Sequence, residues 1–350
     1  MNKLAPLFVG TALSSLMLPG QAADPPKPYG AVPTPQQVNW QRMEFYGFIH
    51  FGLNTFTGRE WGYGDENPQI FNPTDFNASE IVETFKKGGM KGMIYTAKHH
   101  DGFCMWDTRE TAYNIMNTPY GRDVLKLLSD ACRKHGMALS LYYSNPDWHE
   151  PSAYNPLSTH QWKSIDPSKG DSEKYRAFVK AQLTELLTNY GKIDVLWFDF
   201  SYPTQTEGPY ANGWMKGKGK DEWEAEELIK LARSLQPGII IDNRTQLEQD
   251  LWTPEQYQPL EWIRHKETGE LVTWEACQTF SGSWGYYRDE TTWKSPEMLI
   301  RMLVNTVSLG GNLLMNVGPT SRGYIDQRAK DALKVYEVVS YTHLRAHETR

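Results

Sequence analysis

The sequence predicts an α/β chain folded as an irregular (β/α)8-like (TIM) barrel. Short apolar runs alternate with helical stretches at the βα rhythm, which requires a parallel sheet. Polar residues also stand where the apolar runs end: His50, His99, His100, Tyr142, Asp199, Arg244 and Asn316. A barrel brings all its strand ends to one face, so such groups meet there. An open doubly wound sheet would instead concentrate them at a single switch point. No Gly-x-Gly-x-x-Gly or phosphate-binding loop follows any expected strand, which disfavours nucleotide binding.

The elements follow in order. A Pro-rich lead-in (24–35) precedes Phe45-Tyr46-Gly47-Phe48-Ile49-His50-Phe51-Gly52, an apolar strand with His50 near its end. Asn77-Ala78-Ser79-Glu80 has the form of a capping box and opens a helix to Lys87, where Gly88-Gly89 stops it. Residues 92–100 form the next strand, ending in two histidines. A helix over 124–135, stopped by Gly136, leads to a strand over 138–143 that ends in Tyr142-Tyr143. A helix over 172–189 then feeds Asp194-Val195-Leu196-Trp197-Phe198-Asp199-Phe200. That run is too short for a helix and lies between Gly191 and Pro203, so it reads as a buried strand with a carboxylate at its tip. A helix over 223–235, ended by Pro237-Gly238, feeds Ile239-Ile240-Ile241 and the tip Asp242-Asn243-Arg244. Residues 246–289 are irregular and aromatic and show no clear strand. Ser295 opens a helix to Ser308, Asn312-Leu313-Leu314-Met315-Asn316 is the last strand, and a helix over 326–339 follows.

The length of 350 residues, with 39% hydrophobic and 22% charged residues, suits one barrel. A net charge of −6 argues against nucleic-acid or anionic-membrane partners. The one lysine-rich stretch (Lys216, Lys218, Lys220) is interleaved with glycine and reads as a loop. Residues 1–23 have the plan of a signal peptide: Lys3, an apolar run over 4–18, and the small-residue site Gly20-Gln21-Ala22-Ala23. The barrel is therefore expected over 24–339 of an exported protein, periplasmic or extracellular, without a membrane span. Residues 340–350 lose the apolar period and read as a non-native or disordered tail. Cys104, Cys132 and Cys277 are too few, and odd in number, for a disulfide framework.

Asp199 at a strand tip suits a nucleophile or general base. The plain alternative is a helix N-cap or a structural ion pair with Arg244, and residue type alone leaves the two about even. A retaining glycosidase would need a second carboxyl group about 5–5.5 Å away. Glu255, in Thr253-Pro254-Glu255-Gln256, and Glu275, in Thr273-Trp274-Glu275, are the candidates. Glu255 reads equally as a first-turn helical glutamate after Pro254, and Glu275 as a strand carboxylate bonded to backbone. His99 and His100, adjacent in a strand, should point to opposite faces and so chelate one metal ion poorly. With His50 they suit hydrogen bonds to sugar hydroxyls, although one of the three is expected to be a core histidine bonded to backbone. Most of the 13 Trp and 19 Tyr are packing residues, but Glu60-Trp61 and Trp284 lie in Gly-rich loops beside strand ends and could wall a pocket.

Taken together, Tyr46-Gly47-Phe48-Ile49-His50-Phe51-Gly52, Glu60-Trp61, Lys98-His99-His100-Asp101-Gly102-Phe103, Tyr142-Tyr143-Ser144 with Asp147-Trp148, and Val195-Leu196-Trp197-Phe198-Asp199 resemble the α-L-fucosidases of glycoside hydrolase family 29. So do Asn243-Arg244, Trp274-Glu275, Ser283-Trp284-Gly285-Tyr286 and Gly310-Gly311-Asn312-Leu313-Leu314-Met315-Asn316-Val317-Gly318-Pro319, and the match runs over about 46–325. The resemblance implies a retaining exo-α-L-fucosidase that needs no cofactor or metal and acts on a fucosylated oligosaccharide or glycoconjugate. Asp199 matches the nucleophile. His50, Glu60, Trp61, His99, His100, Tyr142 and Arg244 match fucose-binding positions, and Trp284 the aromatic beside the C6 methyl. Glu255 stands at the usual place of the acid/base, with Glu275 as the alternative. Residues 274–287 look more like the broad-specificity branch than the one restricted to branched α1,3/4 linkages. Members usually continue into a C-terminal β-sandwich, and this chain stops where it would begin. The rival readings are a retaining glycosidase for another sugar, such as α-galactose, and a catalytically dead carbohydrate-binding barrel.

Overall fold

A computed structural model describes residues 32–153, 169–201 and 219–339. The expected signal peptide (1–23), the tail (340–350), and Lys216 and Lys218 of the glycine-interleaved stretch lie outside the described residues.

Seven strands form one all-parallel sheet: β1 (Phe45–Ile49), β2 (Gly92–Lys98), β3 (Ala138–Ser144), β4 (Val195–Asp199), β5 (Ile240–Ile241), β6 (Glu275–Thr279) and β7 (Asn312–Val317), in the order β5-β4-β3-β2-β1-β7-β6. The gap between β5 and β6 is filled by residues 251–255, which the sequence left unassigned. Parallel bridges join Asp242 to Leu251, Trp252 to Trp274 and Glu255 to Cys277, so this irregular segment acts as the eighth stave and carries Glu255 at its end. The curled sheet is the expected (β/α)8-like barrel, closed on one side by bridges rather than by a continuous ladder.

The helices are α1 (Pro35–Gln41), α2 (Ala78–Lys87), α3 (Val124–His135), α4 (Ser172–Asn189), α5 (Lys220–Trp223), α6 (Ala225–Leu235), α7 (Pro296–Ser308) and α8 (Gln327–Val339). Those that follow strands cover the outer face. In α2, Ala78, Ile81, Val82 and Phe85 make one buried stripe at helical spacing. Phe85 lies where a Cβ on Gly47 of β1 would stand, 2.3 Å from its ring, so only glycine admits this helix so close to the strand. Burying Phe85 there contributes roughly 1.5–3 kcal/mol. Helix α3 opens where the Asp123 side chain accepts from the Lys126 N–H at 2.7 Å and ends at Gly136, whose φ of 64° gives the left-handed cap.

Two helix expectations are corrected. The Asn77 capping box is half present: Asn77 accepts from the Glu80 N–H, but the Glu80 carboxylate pairs instead with Lys330 of α8. The helix expected over 223–235 breaks into α5 and α6 at Glu224, whose φ is 49°. The Glu224 carboxylate there meets Arg176 and Lys180 of α4.

Period-two alternation divides the core. Tyr46 and Phe48 of β1, Tyr142 of β3, Val195 and Trp197 of β4, and Leu314 of β7 pack inside the barrel with Trp40 beneath. Phe45, Ile49, Leu141, Leu196, Phe198 and Met315 face the helices. Continuing the inner rows upward by one step brings His50, Asp199 and Asn316 to the rim on the C-terminal side. The three cysteines are buried and free, and no helix among the described residues is long and apolar enough to cross a membrane.

Candidate active site

The inner rows converge on Asp199. Its Oδ1 accepts from Arg244 Nη1 at 2.9 Å and from the Phe200 N–H at 2.8 Å, and its Oδ2 accepts from the Tyr142 hydroxyl at 2.7 Å. Phe200 reaches back to its neighbour by taking a φ of 68°, a conformation that costs a non-glycine residue about 1–3 kcal/mol and is held only where the surroundings enforce it. The ion pair with Arg244 is present, yet it does not consume the guanidinium. Arg244 Nη2 also donates to Glu255 Oε2 at 2.7 Å, and the guanidinium lies 4.3 Å from the centre of the Trp197 ring. Arg244 thus holds two carboxylates at once, Asp199 with 14% of its side chain exposed and Glu255 with 54%. One group lies deep and the other at the mouth.

Glu275 is elsewhere. It is the first residue of β6, at the barrel's opposite end, and is fully buried. Its oxygens accept from the Tyr46 hydroxyl and from Trp197 Nε1. A carboxyl sealed there cannot reach a leaving-group oxygen, which removes it as the alternative acid/base. Its expected backbone partner is also replaced, by two side chains. The first-turn reading of Glu255 is corrected as well, because the residue lies in a bridge to Cys277 and not in a helix.

The histidines line the other side. His50 Nδ1 meets Asn316 Oδ1 at 2.6 Å, and His100 Nδ1 meets Ser144 Oγ at 2.7 Å. Both Nδ1 anchors are side chains, where the sequence leads to the expectation of a backbone partner for one of the three histidines. His99 stacks on Tyr142 with ring centres 5.4 Å apart and lies 5.5 Å from His50. His99 and His100 do not point to opposite faces as strand neighbours should: their rings are 4.3 Å apart. The register of β2 on β3 shifts between Thr96 and Lys98, and this bulge sends Lys98 outward to Tyr143 and Asp147 while His99 turns in. His100 lies past the strand end and brings Nε2 to 3.8 Å from Asp199 Oδ2.

Burial lowers the pKa of His50 to about 4, and burial with the neighbouring imidazoles holds His99 well below its ordinary value. Both rings are therefore neutral at pH 7, each able to donate and accept. His50 binds fewer protons folded than unfolded between pH 6.5 and 4, so its contribution to stability is complete above 6.5 and is lost as pH falls through 4. The loss is on the order of 3 kcal/mol. Urea unfolding at pH 7, 5.5 and 4.5 should show a shallower decline in His50→Gln than in the unchanged protein; equal slopes would contradict the shift.

Aromatic groups close the sides. The Trp284 N–H donates to Glu60 Oε1 at 2.6 Å, its carbonyl accepts from Asn316 Nδ2 at 2.6 Å, and its ring lies 5.4 Å from His50. Burial raises the pKa of Glu60, and the Trp284 N–H opposes that rise. Trp61, 39% exposed, stands edge-on to His100 at 6.2 Å and to Trp148 at 6.1 Å. Of the eleven candidate residues read from the sequence, all but Glu275 stand on this face.

The matching family model is Alpha-L-fucosidase, over residues 29–341. The chain belongs to the α-L-fucosidase family. It is 37% identical over 221 residues to "Alpha-L-fucosidase 1" of Arabidopsis thaliana, which covers 62% of this chain but 38% of that relative, so the chain spans well under half of its length. α-L-Fucosidase isoenzyme 1 from Paenibacillus thiaminolyticus superposes with a TM-score of 0.77 at 34% identity, covering 89% of this chain and 76% of that one. A family 29 enzyme from Bacteroides thetaiotaomicron, solved as a trapped covalent intermediate with 2-fluoro-fucosyl fluoride, superposes at 0.75 with 26% identity, covering 91% and 77%.

Trp197, Phe48 and Asn316 support the groups of this site, and the sequence motifs give none of them a role of its own. Trp197 and Phe48 stand two residues before Asp199 and His50 on the same strand face, a signal that period two makes available. Asn316 is legible as a strand tip, but its bridge from His50 to Trp284 depends on partners more than 30 residues away.

Proposed function

We propose that the chain hydrolyses terminal α-L-fucosides with net retention. The grip of one guanidinium, Arg244, on both Asp199 and Glu255 carries the reading, since it gathers the two carboxyl groups that double displacement needs. Asp199 Oδ2 has one donor while Oδ1 has two, so Oδ2 keeps the free lone pair for attack on C1. As that bond forms, the C1–O bond to the leaving group breaks and Glu255 gives its proton to the departing oxygen. Glu255 then takes a proton from water, which attacks C1, and the Asp199 ester bond breaks to release fucose. Glu255 thus serves as acid in the first step and as base in the second.

Neutral His50 and His99, with His100, suit recognition of the ring hydroxyls, and the Trp284 ring supplies the apolar wall that a 6-deoxy sugar calls for. Glu60 acts by holding Trp284. Export to the periplasm or the extracellular space is part of the proposal and rests on the sequence pattern of residues 1–23.

The test is release of nitrophenol from aryl glycosides by the purified chain. The aryl α-L-fucoside should be turned over and the aryl α-D-galactoside should not. The α-L-galactoside, which adds only the 6-hydroxyl, should be slower by about 10²-fold, the usual limit for an apolar pocket rejecting a hydroxyl. Turnover of galactosides alone would replace the sugar, and fucose binding without turnover would favour the non-catalytic barrel.

A further inference from the structure

Glu275 takes no part in the proposed chemistry, yet it is a fully buried carboxyl group that no ion pair reaches among the described residues. Burial pushes its pKa well above the carboxylate range. Such a group is costly in a core unless what it binds requires it. It binds two side chains: the Tyr46 hydroxyl and the Trp197 indole N–H, the latter at 2.7 Å.

Trp197 is the floor of the site. One face carries the Arg244 guanidinium at 4.3 Å, the Tyr142 ring stacks on it at 5.4 Å and 25°, and Phe48 meets it edge-on at 5.5 Å. Arg244 and Tyr142 are two of the three donors to Asp199. The indole has a single N–H, and its bond to Glu275 adds to the packing that fixes the ring's orientation. Loss of the acceptor of that bond would free the ring on which both donors rest.

We propose that Glu275 is a positioning residue for Asp199, acting through the orientation of Trp197. The proposal rests on the hydrolytic reading above. Loss of Glu275 would displace the nucleophile's partners, and displacements near 1 Å can cost about 10²-fold.

A merely structural role predicts a different pattern. Tyr46→Phe removes one donor from Glu275 and leaves Trp197 in place, whereas Trp197→Phe removes the other donor together with ring surface under Arg244 and Tyr142, so the Glu275 variants are needed beside them. Positioning makes Tyr46→Phe and Trp197→Phe unequal. On the aryl α-L-fucoside, Trp197→Phe should lower kcat by about 30- to 100-fold with KM nearly unchanged, while Tyr46→Phe should keep kcat within about threefold. Glu275→Leu should lose about as much as Trp197→Phe, and the double variant no more than either, since both break one linkage. Glu275→Gln keeps an acceptor for the indole and should recover most of the loss. Azide should not restore Glu275→Leu.

Equal losses in Tyr46→Phe and Trp197→Phe, additive losses in the double variant, or azide rescue of Glu275→Leu would each overturn the proposal. Should Glu275→Leu not fold, Glu275→Met, near in volume and a weak acceptor, carries the test in its place. A wild-type chain without fucoside turnover removes the underlying reading, and this proposal with it. An active wild type with equal losses removes this proposal only.

Discussion

Replacing Asp199 by alanine should lower kcat on an activated aryl α-L-fucoside by about four orders of magnitude, with the fold intact. Among the described residues, the carboxylate is the group that Arg244, Tyr142 and the strained Phe200 backbone jointly fix. Its removal leaves those donors with space between them, which water can fill, so the loss should be in the chemistry more than in stability. KM should change far less than kcat, because the imidazoles and Trp284 proposed to hold the sugar are untouched. The measurement is steady-state kinetics beside thermal unfolding of both proteins. A rate within tenfold of wild type would reduce Asp199 to the structural partner of Arg244.

Glu255→Ala is the second large effect. Loss of a general acid and base costs about 10²–10⁴-fold, with the greater loss on natural leaving groups that need a proton and the smaller on nitrophenolate. At the mouth the removed carboxyl leaves an opening beside the Arg244 cation, and a small anion can enter it. Azide should therefore attack the fucosyl-enzyme without needing a base, raising the rate and giving fucosyl azide as product. Rescue in Glu275→Ala and none in Glu255→Ala would reverse the assignment, against the depth at which Glu275 lies.

The contrast between these two glutamates marks where the sequence is legible. Strands β1, β2, β3, β4 and β7 are continuous apolar runs with a polar tip, and a parallel barrel makes such runs apolar on both faces. Reading the tips was thus enough to gather His50, Tyr142, Asp199 and Asn316. The region over 246–289 lacks that signal because its contribution to the barrel is a bridged stave and a strand that begins in a carboxylate. Nothing local says that Glu255 ends its stave at the open rim while Glu275 starts its strand at the closed end. That difference comes from Leu251, Trp252 and Cys277 finding partners across the sheet, and so does the bulge that turns His99 inward. The pairing of Asn316 with His50 and Trp284 is long-range in the same sense. Period two fixes which residues share a face, and tertiary pairing fixes their height along the barrel.

The most direct measurement is trapping of the covalent intermediate. The purified chain would be incubated with 2-fluoro-fucosyl fluoride, digested, and read by mass spectrometry. The account predicts one fluorofucosyl group on the peptide that contains Asp199, and no label in Asp199→Ala. A label on the Glu255 or Glu275 peptide, or turnover of the aryl fucoside with no label at all, would contradict it.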